Sequence, residues 1–259
     1  MTLFSVEWRE GIAIAHLDRP PVNALDRDLL QAIGDGFADL LSEDAAAVVL
    51  TGEGSCFSAG ADLFAVLEGS TEYIEGTVSA LSAAFGSLFE FPRPVVAAVN
   101  GHAIAGGAVL TCGCDYRIMA AGSGKIGISE LRVGVPFPTY AIEIMRFAVG
   151  PRHIQELTYL AKSYDPEVAI TKGLIDEIVE PDALMERAFQ VAHRLAQIPT
   201  ASFEAMKKIL RAPTLDRIAR YGPEHDARAR AGWASPEVRS SIEDFLDRTV
   251  GREKSGERG

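Results

Sequence analysis

The fold is decided by residues 94–120, which read PVVAAVNGHAIAGGAVLTCGCDYRIMA. The apolar runs PVVAAV and DYRIMA have the length and composition of buried strands. Between them, the glycine-rich turn NGHAIAGG leads into small apolar residues that predict a short helix. Two strands joined through a helix favour a parallel crossover, so this stretch indicates an α/β fold.

The same alternation of strands and helices extends toward the N-terminus. The segments FSVEW and GIAIAHL predict a hairpin that turns at Glu10 and Gly11. Apolar residues at helical spacing predict a helix over Asp26 to Leu41, and AAVVLTG then predicts a buried strand. A further helix is predicted over Thr71 to Phe89. We therefore expect one α/β core built from parallel crossovers.

Beyond Gly150 the pattern is predominantly helical. Six prolines predict where these helices are broken: Pro166, Pro181, Pro199, Pro213, Pro223 and Pro236. We divide the chain into an α/β core over residues 1–195 and a helical region over residues 196–259. Because helices with apolar faces and no sheet to cover often pack against other subunits, we expect a homo-oligomer.

Composition excludes several classes of protein. The chain has 259 residues, of which 47% are hydrophobic, and a formal net charge of −11, which disfavours nonspecific binding to nucleic acid or to an anionic membrane. No apolar run approaches the roughly 20 residues that span a bilayer, and the first residues lack the apolar block of a signal peptide. We expect a cytoplasmic protein with no membrane partner.

The three cysteines, Cys56, Cys112 and Cys114, are an odd number in a chain long enough to fold without disulfides. This favours reduced thiols. The Cys-x-Cys pair could belong to a metal site, but no further Cys or His lies at ligand spacing. Buried thiols in an apolar stretch are the better interpretation, and no metal site is predicted.

Two glycine-rich turns are the strongest candidates for chemistry. FSAGADL at residues 57–63 and NGHAIAGGAVL at residues 100–110 each follow a predicted strand and open a predicted helix. The first N–H groups of a helix have no partner within it and lie at the positive end of its dipole, so each turn could bind an anion or oxyanion. Spacing alone leaves an ordinary tight connection equally possible.

These two turns, together with CDYRIMA and IGISELRVGV, resemble the core motifs of the crotonase (enoyl-CoA hydratase/isomerase) superfamily across about residues 3–250. The resemblance implies a spiral of strand-strand-helix units with a helical C-terminal trimerisation region. It implies an acyl-CoA substrate, a trimer or dimer of trimers, and no cofactor beyond the coenzyme A of the substrate. It also implies that the backbone N–H groups of Ala61 and Gly106 form an oxyanion hole.

The departures from the family pattern favour one reaction. Hydratases carry two glutamates, but here the first position is Val109 and only the second, Glu130, is acidic. Adding water requires both a base and an acid, whereas a 1,3 proton shift can use one carboxylate. PPVNAL and GLIDEIV also resemble mitochondrial-type delta-3, delta-2-enoyl-CoA isomerases, which implies Glu130 as the catalytic proton shuttle. A hydratase and a non-catalytic acyl-CoA binding protein remain alternatives.

The setting of Glu130 and the ligand contacts follow from these motifs. Apolar neighbours predict that Glu130 is buried and that its pKa is raised, the alternative being an exposed loop glutamate.

Some residues are expected to bind the substrate, either because the resemblance implies it or because they could form apolar walls: Ala59, Asp62, Leu63, Phe64 and Phe137. Leu67 and Tyr140 are further candidate walls. For each wall residue alone, ordinary core packing is at least as good an interpretation. Candidate phosphate partners, none of them assigned, are Arg27, Lys207 and Lys208.

Other polar residues are interpreted as structural. Glu143 could be a second acid, but a solvated helix face is favoured. His102 is expected to have a hydrogen-bonded structural role, His16 to be packed in its strand, and Asp115 to be structural.

Overall fold

The computed structural model describes the backbone of residues 2–256 and the side chains of residues 2–249. Within this range ten strands form two sheets. The larger sheet contains β1 (Phe4–Arg9), β2 (Ile12–Leu17), β3 (Ala47–Gly52), β5 (Val95–Val99), β7 (Tyr116–Ala120) and β10 (Glu177–Val179) in that spatial order. The smaller sheet contains β4 (Cys56–Ser58), β6 (His102–Ile104), β8 (Ile126–Gly127) and β9 (Ser163–Tyr164).

The helices in the described range begin and end as follows: α1 (Arg27–Ser42), α2 (Leu63–Glu68), α3 (Thr71–Phe89), α4 (Gly106–Gly113), α5 (Thr139–Leu160), α6 (Pro166–Thr171), α7 (Leu184–Ala196), α8 (Thr200–Trp233) and α9 (Pro236–Gly256). Caps explain why the periodic segments end where they do. Asp26 accepts from the Leu29 N–H at the start of α1, and Ser70 accepts from the Tyr73 N–H at the start of α3. The helices predicted over Asp26 to Leu41 and Thr71 to Phe89 are confirmed.

Successive strand pairs build the spiral that the resemblance implies. In the pairs β3–β4, β5–β6 and β7–β8, the first strand joins the larger sheet and the second joins the smaller sheet. The strands β3, β5 and β7 are parallel neighbours, as are β4, β6 and β8. The predicted hairpin of β1 and β2 is also confirmed, with antiparallel pairing from Phe4 opposite Leu17 to Arg9 opposite Ile12.

The larger sheet is covered by helices on both faces. Val48 and Leu50 of β3 pack in the main core with residues of α1 and α3, whereas Val49 packs on the opposite face against residues of α7. Side chains of a strand alternate between faces, so a strand covered on both sides is apolar throughout. Burying each such side chain stabilises the fold by roughly 1.5–3 kcal/mol.

One expectation about the helices beyond Gly150 is wrong. Pro213 and Pro223 lie inside the single helix α8 rather than at breaks. An internal proline costs about 3 kcal/mol, and buried side chains along α8, including Arg211 and Ile218, offset this cost through packing. Within the predominantly helical stretch beyond Gly150, Glu177–Val179 forms the edge strand β10, which pairs in parallel with β7. Pairing with a distant strand is a tertiary effect that local periodicity does not contain.

The division predicted at residues 195 and 196 falls at the end of α7 and stays a prediction. Residues 257–259 of the predicted helical region lie outside the described residues. Among the helices that the structure describes, none combines the length and apolar character needed to cross a membrane.

Candidate active site

The two glycine-rich turns meet. Gly60 and Ala105 both have positive φ, 84° and 54°, which turns the backbone just before Ala61 and Gly106. A Cβ on Gly60 would lie 2.7 Å from the Ala105 Cβ and 3.1 Å from the Gly106 nitrogen. Only glycine allows so close an approach at this backbone conformation. The turns predicted to converge are therefore in direct contact.

The N–H groups of Ala61 and Gly106 are both free to donate. Leu25 pairs with the chain around Ala61, donating from its N–H to the Gly60 oxygen at 2.8 Å and accepting from the Asp62 N–H at 3.2 Å. This pairing turns the N–H of Ala61 itself away from Leu25. Gly106 is the first residue of α4, so its N–H has no helical partner. Neither N–H has an acceptor among the described residues.

Both N–H groups belong to residues on the wall of one open cavity with a volume of about 110 Å³. Glu130 lies on the same wall. The rest of the wall is largely apolar and includes Leu81, Phe85, Val109, Val133, Val135, Trp233 and Phe245. An apolar cavity with two backbone donors and one carboxylate can bind a carbonyl compound and exchange a proton with it.

Glu130 begins a short 3-10 helix, Glu130–Arg132, and its side chain is only 8% exposed. Burial raises the pKa of its carboxyl group to about 8, against the opposing effect of the Glu130 and Ser129 backbone amides. The Ser129 N–H donates to Oε2 at 2.7 Å. The expected burial is confirmed, and the exposed-loop alternative is wrong. Glu130 can therefore gain or lose a proton near neutral pH.

The sequence profile described as "Enoyl-CoA hydratase/isomerase" matches residues 7–250. This chain belongs to that family. The resemblance drawn from the turn motifs is thereby confirmed.

Relatives within the enoyl-CoA hydratase/isomerase family carry both names. A "Putative enoyl-CoA hydratase" of Thermus thermophilus is 35% identical over 187 residues, covering 70% of this chain and 71% of that protein. The rat "Enoyl-CoA delta isomerase 1, mitochondrial" is 29% identical over 219 residues, covering 83% and 76%. The crystal structure of human mitochondrial delta3-delta2-enoyl-CoA isomerase superposes with a TM-score of 0.91 at 24% identity, covering 99% of this chain and all of that one, which shows a shared fold.

Three of the five expected substrate contacts line the cavity of this family member. Ala59, Leu63 and Phe137 are on its wall, but Asp62 and Phe64 are not. Asp62 caps α2, and Phe64 is 54% exposed. Leu63 and Phe64 are consecutive in a helix, so they cannot face the same side, and only Leu63 turns inward. The expectation that Phe64 walls an acyl pocket is therefore not met.

The two further candidate walls also lie elsewhere. The hydroxyl of Tyr140 donates to Glu90 Oε1 at 2.5 Å, and neither Tyr140 nor Leu67 lines the cavity. In their place the cavity has Trp233 and Phe245, which sequence reasoning missed. Leu81 and Phe85 could have been found, since they are four residues apart on the apolar face of α3. No local signal points to Trp233 and Phe245, because their position depends on how α8 and α9 fold back over the core.

Glu143 is buried, so the solvated-face interpretation is wrong. Its carboxylate lies 3.1 Å from Arg146 Nε and 2.6 Å from Arg217 Nε, and it does not line the cavity. This carboxylate joins α5 to α8 through Arg217 and lies outside the cavity, so it is not placed to act as a second acid.

Lys207 and the histidines have structural partners. Lys207 is buried with Nζ 2.6 Å from Asp115 Oδ2, and burial lowers its pKa to about 8. Arg211 holds the other oxygen of Asp115 at 2.7 Å, so Asp115 is structural, as expected, and Lys207 is not exposed to a phosphate.

The expected hydrogen bond of His102 is confirmed, since its Nδ1 accepts from the Lys125 N–H. His16 is not merely packed, because its Nδ1 lies 2.6 Å from Glu53 Oε1.

The cysteines are buried and free. Burial raises the pKa of both Cys56 and Cys112 to about 11 and raises that of Cys114 further. At neutral pH all three are thiols rather than thiolates, and a thiol is a poor nucleophile and a poor metal ligand.

Proposed function

We propose that this chain isomerises 3-enoyl-CoA thioesters to 2-enoyl-CoA thioesters. The N–H groups of Ala61 and Gly106 bind the thioester oxygen, and Glu130 moves the proton. One observation carries the proposal. Among the described residues, Glu130 is the sole ionisable side chain on a cavity wall that also includes two residues with unpaired N–H groups.

The proposed reaction has two proton transfers. Ionised Glu130 removes a proton from the alpha carbon, and the electrons of the broken C–H bond delocalise onto the thioester oxygen. The double bond at carbons 3 and 4 extends this enolate to a dienolate. Protonated Glu130 then returns the proton to the gamma carbon, which leaves the double bond between carbons 2 and 3. Each backbone donor of such a hole typically contributes about 3–4 kcal/mol of transition-state stabilisation.

Val109 supports isomerisation over hydration. Its side chain is fully buried and apolar, and it lines the cavity at the position where the resemblance implies a glutamate in hydratases. Hydration needs one group to activate water and another to protonate the alpha carbon. A single carboxylate can serve both transfers of an isomerisation because the same proton leaves and returns.

Hydration remains the second candidate, because the Thermus relative at 35% identity is named a putative enoyl-CoA hydratase. The purified protein should be incubated separately with 3-enoyl-CoA and 2-enoyl-CoA. Conversion of the 3-enoyl thioester to the 2-enoyl thioester supports isomerisation. Turnover of the 2-enoyl thioester alone, to the 3-hydroxy product, would establish the hydratase instead.

The Glu130→Gln variant tests whether the protein is a catalyst at all. Glutamine preserves the size of the side chain but cannot take a proton, so isomerisation should fall by at least about 1,000-fold while acyl-CoA still binds. If the variant keeps the turnover of the parent, Glu130 is not the proton carrier. If the parent binds acyl-CoA but turns over neither thioester, the protein is a non-catalytic acyl-CoA binding protein.

Self-association is part of the proposal. Ile209 and Leu210 of α8 are 63% and 60% exposed, and Met206 lies one turn earlier on the same face. Exposed apolar side chains at this spacing suit a contact between copies of the chain, which agrees with the trimer or hexamer implied by the resemblance. Sedimentation analysis of the parent and of an Ile209→Asp, Leu210→Asp variant tests this, since two buried charges should dissociate the assembly.

A further inference from the structure

Arg19 joins the starts of two helices beside the candidate oxyanion hole. Its Nε lies 2.7 Å from Asp26 Oδ2, and its terminal nitrogen NH2 lies 2.9 Å from Asp62 Oδ2. Asp26 caps α1 and Asp62 caps α2, each through its other oxygen, to Leu29 N–H at 2.9 Å and Ala65 N–H at 3.0 Å. One guanidinium group therefore fixes two caps at once.

These two caps flank the backbone that presents the Ala61 N–H. Asp26 follows Leu25 directly, and Asp62 follows Ala61 directly. Leu25 and Ala61 are themselves paired through the chain on either side of Ala61. A movement of either aspartate would thus shift this paired backbone. The loop of Arg19 is also held, because its backbone N–H donates to Asn23 Oδ1 at 2.9 Å.

A role in binding coenzyme A phosphates does not suit Arg19. Two carboxylates share its single positive charge, so the local formal charge is negative and would repel a phosphate. Two of its guanidinium nitrogens are already held by the two caps.

We infer that Arg19 is a positioning residue that holds the Ala61 N–H in register with the Gly106 N–H. This inference rests on the proposed function, because it presupposes that the two N–H groups bind the thioester oxygen. It adds a residue outside the cavity wall whose loss would weaken the oxyanion hole without removing a donor.

The test is the C=O stretching frequency of a saturated acyl-CoA, isotopically labelled at the thioester carbon, bound to the protein. Hydrogen bonds from two N–H donors polarise the carbonyl and lower this frequency relative to free ligand. Arg19→Met should lose roughly half of that lowering, since one of two donors is misaligned, and kcat should fall about 10- to 100-fold with little change in KM.

Matched variants separate positioning from stability. Arg117 is a more deeply buried guanidinium, 12% exposed against 28% for Arg19, and it binds Asp176 through two nitrogens outside the cavity. Arg117→Met should therefore lower the melting temperature but leave the C=O frequency unchanged. Arg19→Lys keeps one contact and should fall between the parent and Arg19→Met. Asp62→Asn keeps the cap acceptor and weakens the ion pair, so it reports the same coupling if Arg19→Met fails to fold.

The outcomes distinguish this inference from the proposed function. A C=O frequency in Arg19→Met, Arg19→Lys or Asp62→Asn equal to that of the parent, with only a lower melting temperature, would overturn the role of Arg19. A parent protein that does not lower the C=O frequency at all would instead remove the oxyanion hole and the proposed function with it.

Discussion

The Ser129 N–H lies 2.7 Å from Oε2 of Glu130, yet the pKa of this carboxyl group is raised to about 8. A hydrogen bond from an amide favours the charged carboxylate and by itself would lower the pKa. Desolvation in the apolar cavity therefore outweighs the hydrogen bond. The bond fixes where the carboxylate lies, and the cavity sets how readily it holds a proton.

The activity should depend on pH through this group. Because the first step needs ionised Glu130, kcat/KM for isomerisation of a 3-enoyl-CoA should rise about tenfold per pH unit up to about pH 8 and then level off. Rates at low substrate concentration across roughly pH 6 to 10 measure this. A profile that is flat between pH 6 and 8, with the protein folded throughout, would contradict a base whose pKa is raised to about 8.

The raised pKa of Glu130 also predicts how the free energy of unfolding depends on pH. The folded-state pKa of Glu130 lies above its ordinary value of 4.5, so between 4.5 and about 8 the folded protein holds more protons than the unfolded chain. The contribution of Glu130 to the stability of the folded protein is therefore lost as pH rises from 4.5 to about 8. Glu130→Gln lacks the titration, so at about pH 8 its free energy of unfolding should exceed that of the parent by of order 2–4 kcal/mol.

Denaturant unfolding of parent and variant at about pH 5 and pH 8 measures this difference. The two proteins should be similar at the lower pH and diverge at the higher one. A Glu130→Gln variant that is less stable than the parent at both values would show that ionised Glu130 is well solvated or paired.

Local signals were sufficient for much of the core. The bounds of α1 and α3 could be predicted because Asp26 and Ser70 cap them and their apolar residues repeat at helical spacing. The strand β3 could be predicted because both of its faces are covered, so its sequence is apolar throughout. The two turns could be predicted because Gly60 and Gly106 stand where the backbone approaches another segment closely.

Long-range packing decided the features of the fold and the site that the sequence did not predict. Pro213 and Pro223 are typical helix breakers, yet both lie inside α8, which buries residues such as Thr214 and Ile218 near them. The burial of Glu143 depends on Arg217, which is 74 residues away in sequence. Trp233 and Phe245 enter the cavity wall through the placement of α8 and α9. No periodicity or motif in the local sequence marks any of these contacts.

The approach of the two turns can be tested at Gly60. A Cβ there would lie 2.8 Å from the Ile104 oxygen and 2.7 Å from the Ala105 Cβ, on a backbone with φ of 84°. Gly60→Ala should therefore separate Ala61 from Gly106 and lower kcat by at least about 100-fold. Gly54→Ala is the matched control, because Gly54 has φ of 75° but nothing within 4 Å of an added Cβ. If both variants lose activity equally, backbone strain rather than the contact between turns is responsible.

The size of the acyl chain can be tested at Trp233. Its Nε1–H donates to the Pro136 oxygen at 2.8 Å, so the indole is held as a fixed, buried part of the apolar cavity wall.

Trp233→Ala removes the largest side chain on that wall, and the freed volume should raise the affinity for long saturated acyl-CoA thioesters relative to short ones. The same change should cost about 3–5 kcal/mol of stability. Trp8→Ala is the control, because Trp8 is exposed on β1 and does not line the cavity. Calorimetric titration with a homologous series of saturated acyl-CoA thioesters measures the preference without any turnover. If Trp233→Ala weakens binding of every chain length by the same factor, then Trp233 stabilises the site but does not limit the length of the acyl chain.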